Sequence, residues 1–200
     1  EIAEQLGLSD WWGQAEEVWD DNKSSADKSR LLDRIDYHGQ LSAQLPPAAL
    51  RVVYTKSGNT LAAAIVRDVS AIIDHKLYWA SVAAESEGHY LCAILNSATL
   101  LDRVKPLQAL GLFGTRDFDK NVFTVPFPKY DATNNLHTRL AGLGAQSEEV
   151  AAAVDISGAR TFQAARKTVA AALVAAGISQ EIESAVAELV PVEVVLPSED

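Results

Sequence analysis

The hydrophobic positions between residues 10 and 44 repeat at helical spacing. In the first stretch they fall at i, i+1, i+4, i+7 and i+8, which is one face of a helix; they are Trp11, Trp12, Ala15, Val18 and Trp19. We interpret these tryptophans as a packing face rather than as a platform on which bases stack. A second helix carries its apolar residues on one face, and two prolines at 46 and 47 end it; those residues are Leu31, Leu32, Ile35 and Leu41.

From Leu50 onward the pattern becomes typical of β-strands. Two β-branched and aromatic runs, at 50–56 and 61–66, flank the turn residues 57–59 and predict a hairpin. Further elements follow: short strands at 71–74 and 77–82, a helix over 84–101, a loop over 111–117 and a strand at 122–125 that prolines end. The helix has an apolar side that we expect to be buried; it consists of Tyr90, Leu91, Ile94, Leu95 and Ala98.

The last third of the chain is predicted to be helical, with helices at 135–154, 159–176 and 179–189 and a loose or edge segment at 191–200. The predicted fold class is therefore α+β: a small mixed β-sheet with an embedded helix, flanked by N-terminal and C-terminal helical segments. We divide the chain into a helical connector (1–49), an α/β core (50–131) and a C-terminal helical segment (132–200).

Charge is distributed unevenly along the chain, whose net charge is −10. Residues 1–49 and 131–200 each carry 4 basic and 10 acidic side chains, whereas residues 50–130 carry 9 basic and 7 acidic ones. A polyanion should therefore dock on the middle third. The alternative is that this small positive excess is only ordinary solvated surface.

The composition indicates which compartment and which partners to expect. No apolar run approaches the roughly 20 residues that a membrane span needs, so we expect no membrane partner. The single cysteine, Cys92, excludes an internal disulfide framework and favours a cytoplasmic protein. Because the chain has no initiating methionine, we expect it to begin inside a longer gene product or after processing.

Candidate catalytic chemistry is sparse. The sequence has no glycine-rich phosphate loop, no nucleophile elbow and no histidine spacing typical of a metal site. His89 and Cys92 lie three residues apart on one predicted helix and could pair, but Cys92 stands in an apolar run, which favours a buried, inert thiol. His75 and His137 are flanked by polar residues and are predicted to be surface side chains. We therefore assign no catalytic and no metal-binding residue.

Two passages resemble a known family. They are the helix Glu87–Ser97 (EGHYLCAILNS) and the stretch Phe123–Asp131 (FTVPFPKYD), which leads into Leu136–Leu143 (LHTRLAGL). Both are similar to motifs in the C-terminal region of large N6-adenine DNA methyltransferases from bacterial restriction–modification (type II and IIG-like) and related phage-defence systems. The segments Tyr54–Gly58 and Ile73–Trp79 are also similar to that group. The likeness covers about residues 50–145, and the order and spacing of the motifs carry it.

The resemblance implies that residues 50–131 are a target-recognition core that reads double-stranded DNA. The catalytic domain of the same polypeptide would precede Glu1, carry the Asn/Asp-Pro-Pro-Tyr motif and bind S-adenosylmethionine. Neither that motif nor the cofactor's glycine loop occurs in the 200 residues, so this fragment should bind no cofactor and not be an enzyme by itself. In this family some parent enzymes fuse methylation to DNA cleavage.

The residues expected to touch DNA lie in the turns that such a scaffold displays. Arginine can bind both acceptors of a guanine edge, asparagine can pair with adenine, and lysines neutralise phosphates. The candidates are Lys56, Ser57, Asn59, Arg103, Lys105, Thr115, Arg116, Lys120 and Lys129. Two alternatives stay open: a protein-interaction or packing module that does not touch DNA, and a small cytosolic enzyme that uses His89 and Cys92.

Overall fold

The computed structural model describes residues 4–108, 110–111, 114–115 and 117–190. Its backbone forms two compact units, Glu1–Pro47 and Ala48–Asp200. Helices dominate both the chain and its C-terminal third, and a small antiparallel sheet lies in the second unit. The α+β class predicted from the sequence is confirmed.

The first unit is built on helix α1 (Leu6–Asn22), followed by the short helix α2 (Leu31–Ile35) and two 3₁₀ turns, Tyr37–Gly39 and Ser42–Gln44. The indole of Trp19 is half-buried and donates a hydrogen bond to the carbonyl of Ser29, 3.1 Å away. Trp11, in contrast, is 59% exposed, so the expectation of a buried tryptophan face is wrong for this residue. The helix predicted around Leu31–Leu41 is only one turn long before 3₁₀ geometry replaces it.

The main sheet contains β1 (Arg51–Thr55), β2 (Ala63–Val66) and β3 (Leu77–Ser81) in the order β2-β1-β3. Both strand pairs are antiparallel, so the prediction of a mixed sheet is wrong, while the hairpin of β1 and β2 is confirmed. The predicted strand at 71–74 is a loop. The guanidinium of buried Arg51 donates hydrogen bonds to the carbonyls of Asp68 and Ala71, at 2.6 and 2.9 Å. The loop is therefore attached to the sheet by a side chain and not by the backbone hydrogen bonds of a strand.

The predicted helix 84–101 is divided into α3 (Glu85–Leu95) and α4 (Ala98–Val104). Ser97 separates them because its hydroxyl accepts the N–H of Leu100, at 3.1 Å, and thereby caps α4. The side chain of Asn96 turns to the sheet, where its amide binds the backbone N–H and carbonyl of Ala63, each at 2.9 Å. Ala98 is exposed, not buried as predicted.

Three helices complete the second unit: α5 (Asn135–Ala153), α6 (Phe162–Ala175) and α7 (Ile178–Leu189), in agreement with the predicted helices. Asn134 caps α5 and Thr161 caps α6 through their side-chain oxygens. Gly177 adopts a φ of +77°, which favours glycine, and connects α6 to α7. The predicted edge segment 191–200 lies outside the described residues.

The core of the second unit lies where α3 crosses α5 and meets β1, α4 and α7. Its largest fully buried apolar side chains include Tyr90, Ile94, Leu95, Leu100, Phe118 and Leu140.

Two expectations about buried groups in this unit are wrong. Residues 122–125 were predicted to form a strand but lie at the end of a 3₁₀ helix, Asp119–Thr124, which buries Val122 and Val125 at a three-residue spacing. His137 was predicted to be a surface residue but is only 3% exposed. Its Nδ1 accepts the N–H of Asp131 at 3.0 Å, so a backbone hydrogen bond accounts for its burial.

Candidate nucleic-acid interface

The turn between β1 and β2 contains three of the predicted DNA-contacting residues. Gly58 has a φ of +120°, a conformation that side chains with a Cβ rarely adopt, so the glycine permits the turn. Lys56 is fixed on both sides by its backbone: its N–H donates to the carbonyl of Lys76 at 3.1 Å, and its carbonyl accepts from Phe118 at 2.8 Å. Ser57 and Asn59 are exposed at the tip.

Hydrogen bonds join this turn to two other segments. Ser57 forms an isolated antiparallel bridge with Asp117. The side-chain amide of Gln108 donates to the carbonyl of Gly58 at 3.2 Å, and that of Asn121 donates to the carbonyl of Leu107 at 2.9 Å. The turn, the exit of α4 and the start of the 3₁₀ helix therefore lie side by side. We call residues 56–59, 105–108 and 117–121 the turn–loop surface.

The cations at this surface have different environments. The half-buried Lys56 places its Nζ 5.6 Å from the ring centroid of Tyr78. Lys105 pairs with Asp102 at 3.2 Å, and both side chains are largely exposed, so the ion pair holds the lysine only weakly. Arg103 is half-buried on α4, and its Nη1 is buried without a hydrogen-bond partner.

The remaining candidates are less well defined. Thr115 lies in the two-residue strand β5 (Gly114–Thr115), which pairs with β4 (Leu110–Gly111), and Lys120 lies in the 3₁₀ helix; for both, the structure describes the backbone. Arg116 lies outside the described residues. Lys129 is exposed, beyond the segments that the turn–loop hydrogen bonds connect.

An aromatic cleft of about 360 Å³ adjoins Lys56. The rings of Tyr54 and Tyr78 stack at 5.4 Å, and Phe123 packs edge-on against Tyr54 at 5.7 Å while remaining 53% exposed. None of these three aromatic residues is among the candidates predicted from the sequence. The register that pairs Tyr54 with Tyr78 could have been inferred from the strand alternation, but Phe123 could not, because it was assigned to a strand.

Carboxylates limit the positive charge around the turn. Asp74 sits beside Lys76 and His75, and its pKa is lowered, mainly by the hydrogen bond from the backbone N–H of Lys76, so it stays ionised at neutral pH. Asp102 and Asp117 add two more negative charges near Lys105 and Ser57. The surface is thus mixed in charge.

The alternative of a catalytic Cys–His pair receives no support from the surroundings of the two side chains. His89 binds Glu148 through Nε2 at 2.7 Å. Burial raises the pKa of the Cys92 thiol to about 12, so the thiol is neutral at physiological pH, whereas a reactive cysteine needs a lowered pKa. Among the residues that the structure describes, no group of three or more metal-binding side chains is found.

A cluster of ion pairs connects three elements near His89. Arg67, which follows β2, binds Glu85 of α3 and Glu148 of α5, each through two hydrogen bonds. The guanidinium of Arg67 lowers the pKa of Glu148 to about 2, and it also lowers that of Glu85. The cluster therefore acts as an electrostatic connection between the sheet, α3 and α5.

Compared with protein-family models, with curated proteins and with solved structures, the chain matches none. The likeness to adenine methyltransferases therefore rests on the motifs quoted above. In the described ranges, no single helix is long and apolar enough to cross a membrane, although α6 and α7, bent by 81° at their junction, meet the length and composition criteria together.

Proposed function

We propose that this chain is the DNA target-recognition part of an S-adenosylmethionine-dependent adenine-N6 DNA methyltransferase of the restriction–modification type. The catalytic domain, which would bind the cofactor, belongs to another part of the parent polypeptide. The observation that carries the proposal is the turn–loop surface, because its hydrogen bonds bring the turn with Lys56, Ser57 and Asn59 and the segment that begins at Lys105 next to Asp117 and Asn121.

The chemistry of this surface suits a duplex. The half-buried Lys56 and the exposed Lys105 can contact a phosphate backbone, while Ser57 and Asn59 at the tip can reach base edges in a groove. The 56–59 turn is held at Lys56 by backbone hydrogen bonds to Lys76 and Phe118, so its side chains project from a fixed base. The net charge of −10 predicts weak binding by the fragment alone, with the catalytic domain supplying the remaining phosphate contacts.

Fluorescence anisotropy with a labelled duplex, at low and then moderate salt, tests the proposal. Each lost phosphate contact should reduce the slope of log K against log salt by about 0.9. The double variant Lys56→Gln/Lys105→Gln should therefore bind more weakly and with a slope lower by about 2. The control Lys28→Gln/Lys167→Gln removes the same charge elsewhere and should retain the wild-type slope. Equal loss in both variants would contradict the proposed surface.

A packing module without DNA contact is the second candidate, and one observation favours it. The first unit exposes an unusual number of large apolar side chains for its size; they are Leu8, Trp11, Val18, Leu32, Ile35, Tyr37 and Leu45. Exposed apolar patches are typical of surfaces that another protein covers. Absence of salt-sensitive DNA binding, combined with concentration-dependent self-association that Trp11→Ser removes, would favour this candidate over the first.

A further inference from the structure

A cavity of about 570 Å³ lies in the second unit between the edge strand β2 and helices α3, α5, α6 and α7. Its walls are mostly apolar and include Leu61, Ile65, Ala93, Val169, Leu173 and Ile182. This volume falls within the range of small-molecule sites, about 300–1,000 Å³. It is unrelated to the turn–loop surface, and the proposed DNA function does not use it.

The two carboxylates that line the cavity are already satisfied by the protein. Glu148 binds Arg67 and His89. Glu183 accepts hydrogen bonds from the backbone N–H groups of Ala98 and Thr99, at 2.7 and 2.8 Å, at the start of α4. Neither acid therefore needs a cationic ligand.

Arg166 of α6 also lines the cavity, and its surroundings differ from those of the two carboxylates. Its guanidinium lies 5.5 Å from the ring centroid of Phe162, and among the described residues it forms no hydrogen bond or ion pair. Phe162 also lines the cavity and is 70% exposed, so this end faces solvent. A mostly apolar cavity, with a guanidinium at its mouth that forms no ion pair with a described carboxylate, fits a ligand that has an apolar body and a single anionic head.

We propose that this cavity binds a small amphipathic anion, namely an unbranched medium-chain carboxylate. The alkyl chain would lie against Ala93, Leu173 and Ile182, and the carboxylate would pair with Arg166. No side chain of α6 is fully buried, so the helix can move outward to admit such a ligand at little cost in packing. The bound chain would in turn supply the apolar contacts that α6 lacks.

Isothermal titration of the 200-residue chain with decanoate below its micelle concentration tests this site. We expect saturable one-to-one binding that strengthens about fourfold per added methylene from octanoate to decanoate. Decyltrimethylammonium, which has the same chain and the opposite charge, should bind at least tenfold more weakly. Absence of saturable decanoate binding, or equal binding of the two amphiphiles, would overturn the proposal.

Variants in α6 locate the site. Arg166→Gln removes the charge but keeps a polar side chain, and should weaken decanoate binding about tenfold without affecting decanol binding. Ala170→Trp fills the cavity and should abolish binding of both ligands. Ala171→Trp is the matched control, because this exposed neighbour does not line the cavity. Unchanged binding in Arg166→Gln, or equal loss in the two tryptophan variants when circular dichroism shows both folded, would contradict the assignment.

Discussion

Helices α5 and α6 are both rich in alanine, yet they pack very differently. Helix α5 buries five residues, among them Leu140 and Leu143, and lies so close to α3 that a Cβ at Gly144 would come within 2.3 Å of the His89 carbonyl oxygen. Helix α6 buries no residue, and Val174 near its end is 67% exposed.

The difference follows from what each helix presents to its neighbours. Leucines and a glycine on one face of α5 give it both apolar area and close approach, whereas the alanines of α6 remove little surface from water. Helix α6 therefore lies over a cavity instead of filling it. Changes in α5 should alter the global stability, and changes in α6 should alter only local order.

The largest loss of stability is expected in α5, the more deeply buried of the two helices. Leu140→Ala removes a fully buried side chain from α5 and should lower the free energy of unfolding by about 2–5 kcal/mol. Leu173→Ala removes the same atoms from the half-buried face of α6 and should cost less than about 1 kcal/mol. Urea denaturation followed by circular dichroism measures both, and similar losses would show that α6 belongs to the core.

Two glycines of α5 provide the next test. Gly144→Ala would drive a methyl group into the backbone of His89 and should cost about 1–3 kcal/mol, because α3 and α5 must move apart. A Cβ at Gly142 meets nothing within 4 Å, so Gly142→Ala should stabilise the protein by about 0.5–1 kcal/mol through helix propensity. Opposite signs in the changes of the two melting temperatures are the expected result; equal stabilisation by both substitutions would mean that α5 does not approach α3 this closely.

The sequence predicted the helices more accurately than their contacts. Periodicity located α5, α6 and α7 within a few residues, because helical spacing and caps such as Asn134 are local signals. The same periodicity predicted no difference in burial between α5 and α6. Whether a helix is buried depends on partners far along the chain, such as His89 against Gly144, and no local pattern contains that information.

The same limit applies to the candidate site. Turn chemistry identified the 56–59 turn, but its junction with Gln108 and Asp117 joins residues 50–60 positions apart. The strand prediction at 122–125 was wrong because β-branched and aromatic residues locally favour a strand, whereas the two valines are buried three residues apart, the spacing of a 3₁₀ turn. His137 was predicted to be exposed because its neighbours in the sequence are polar. The hydrogen bond that its ring accepts from the backbone N–H of Asp131 forms only in the folded chain, so the sequence alone does not indicate its burial.

The ion pairs between α3 and α5 should make this contact sensitive to acid. The pKa of Glu148 is lowered from its ordinary value of 4.5 to about 2 by Arg67 and His89. Its contribution is therefore fully present above about pH 4.5 and is lost as the pH falls toward 2. The side chain is 43% exposed, so solvent screening limits the effect to about 1 kcal/mol.

Glu148→Gln should remove this part of the acid destabilisation, so its unfolding free energy should fall less steeply than that of the wild type between pH 4.5 and 2. Glu149→Gln, one residue further along α5 and exposed, is the matched control and should retain the wild-type pH dependence. The two profiles come from urea titrations at each pH. If Glu148→Gln followed the wild-type profile, the ion pairs would not contribute to the contact between α3 and α5.

Removing the N-terminal caps of α5 and α6 should give the smallest of the expected differences between the two helices. Asn134→Ala removes the oxygen that accepts the N–H groups of Leu136 and His137, and should lower the global stability by about 1 kcal/mol because α5 unfolds with the core. Thr161→Ala removes the corresponding bond to Ala164, yet α6 can open without the core. The global stability of the Thr161→Ala variant should stay within about 0.5 kcal/mol of the wild type, while amide exchange in α6 becomes about fivefold faster. Hydrogen-exchange mass spectrometry resolves the two helices, and a global loss in Thr161→Ala equal to that in Asn134→Ala would mean that α6 is as firmly packed as α5.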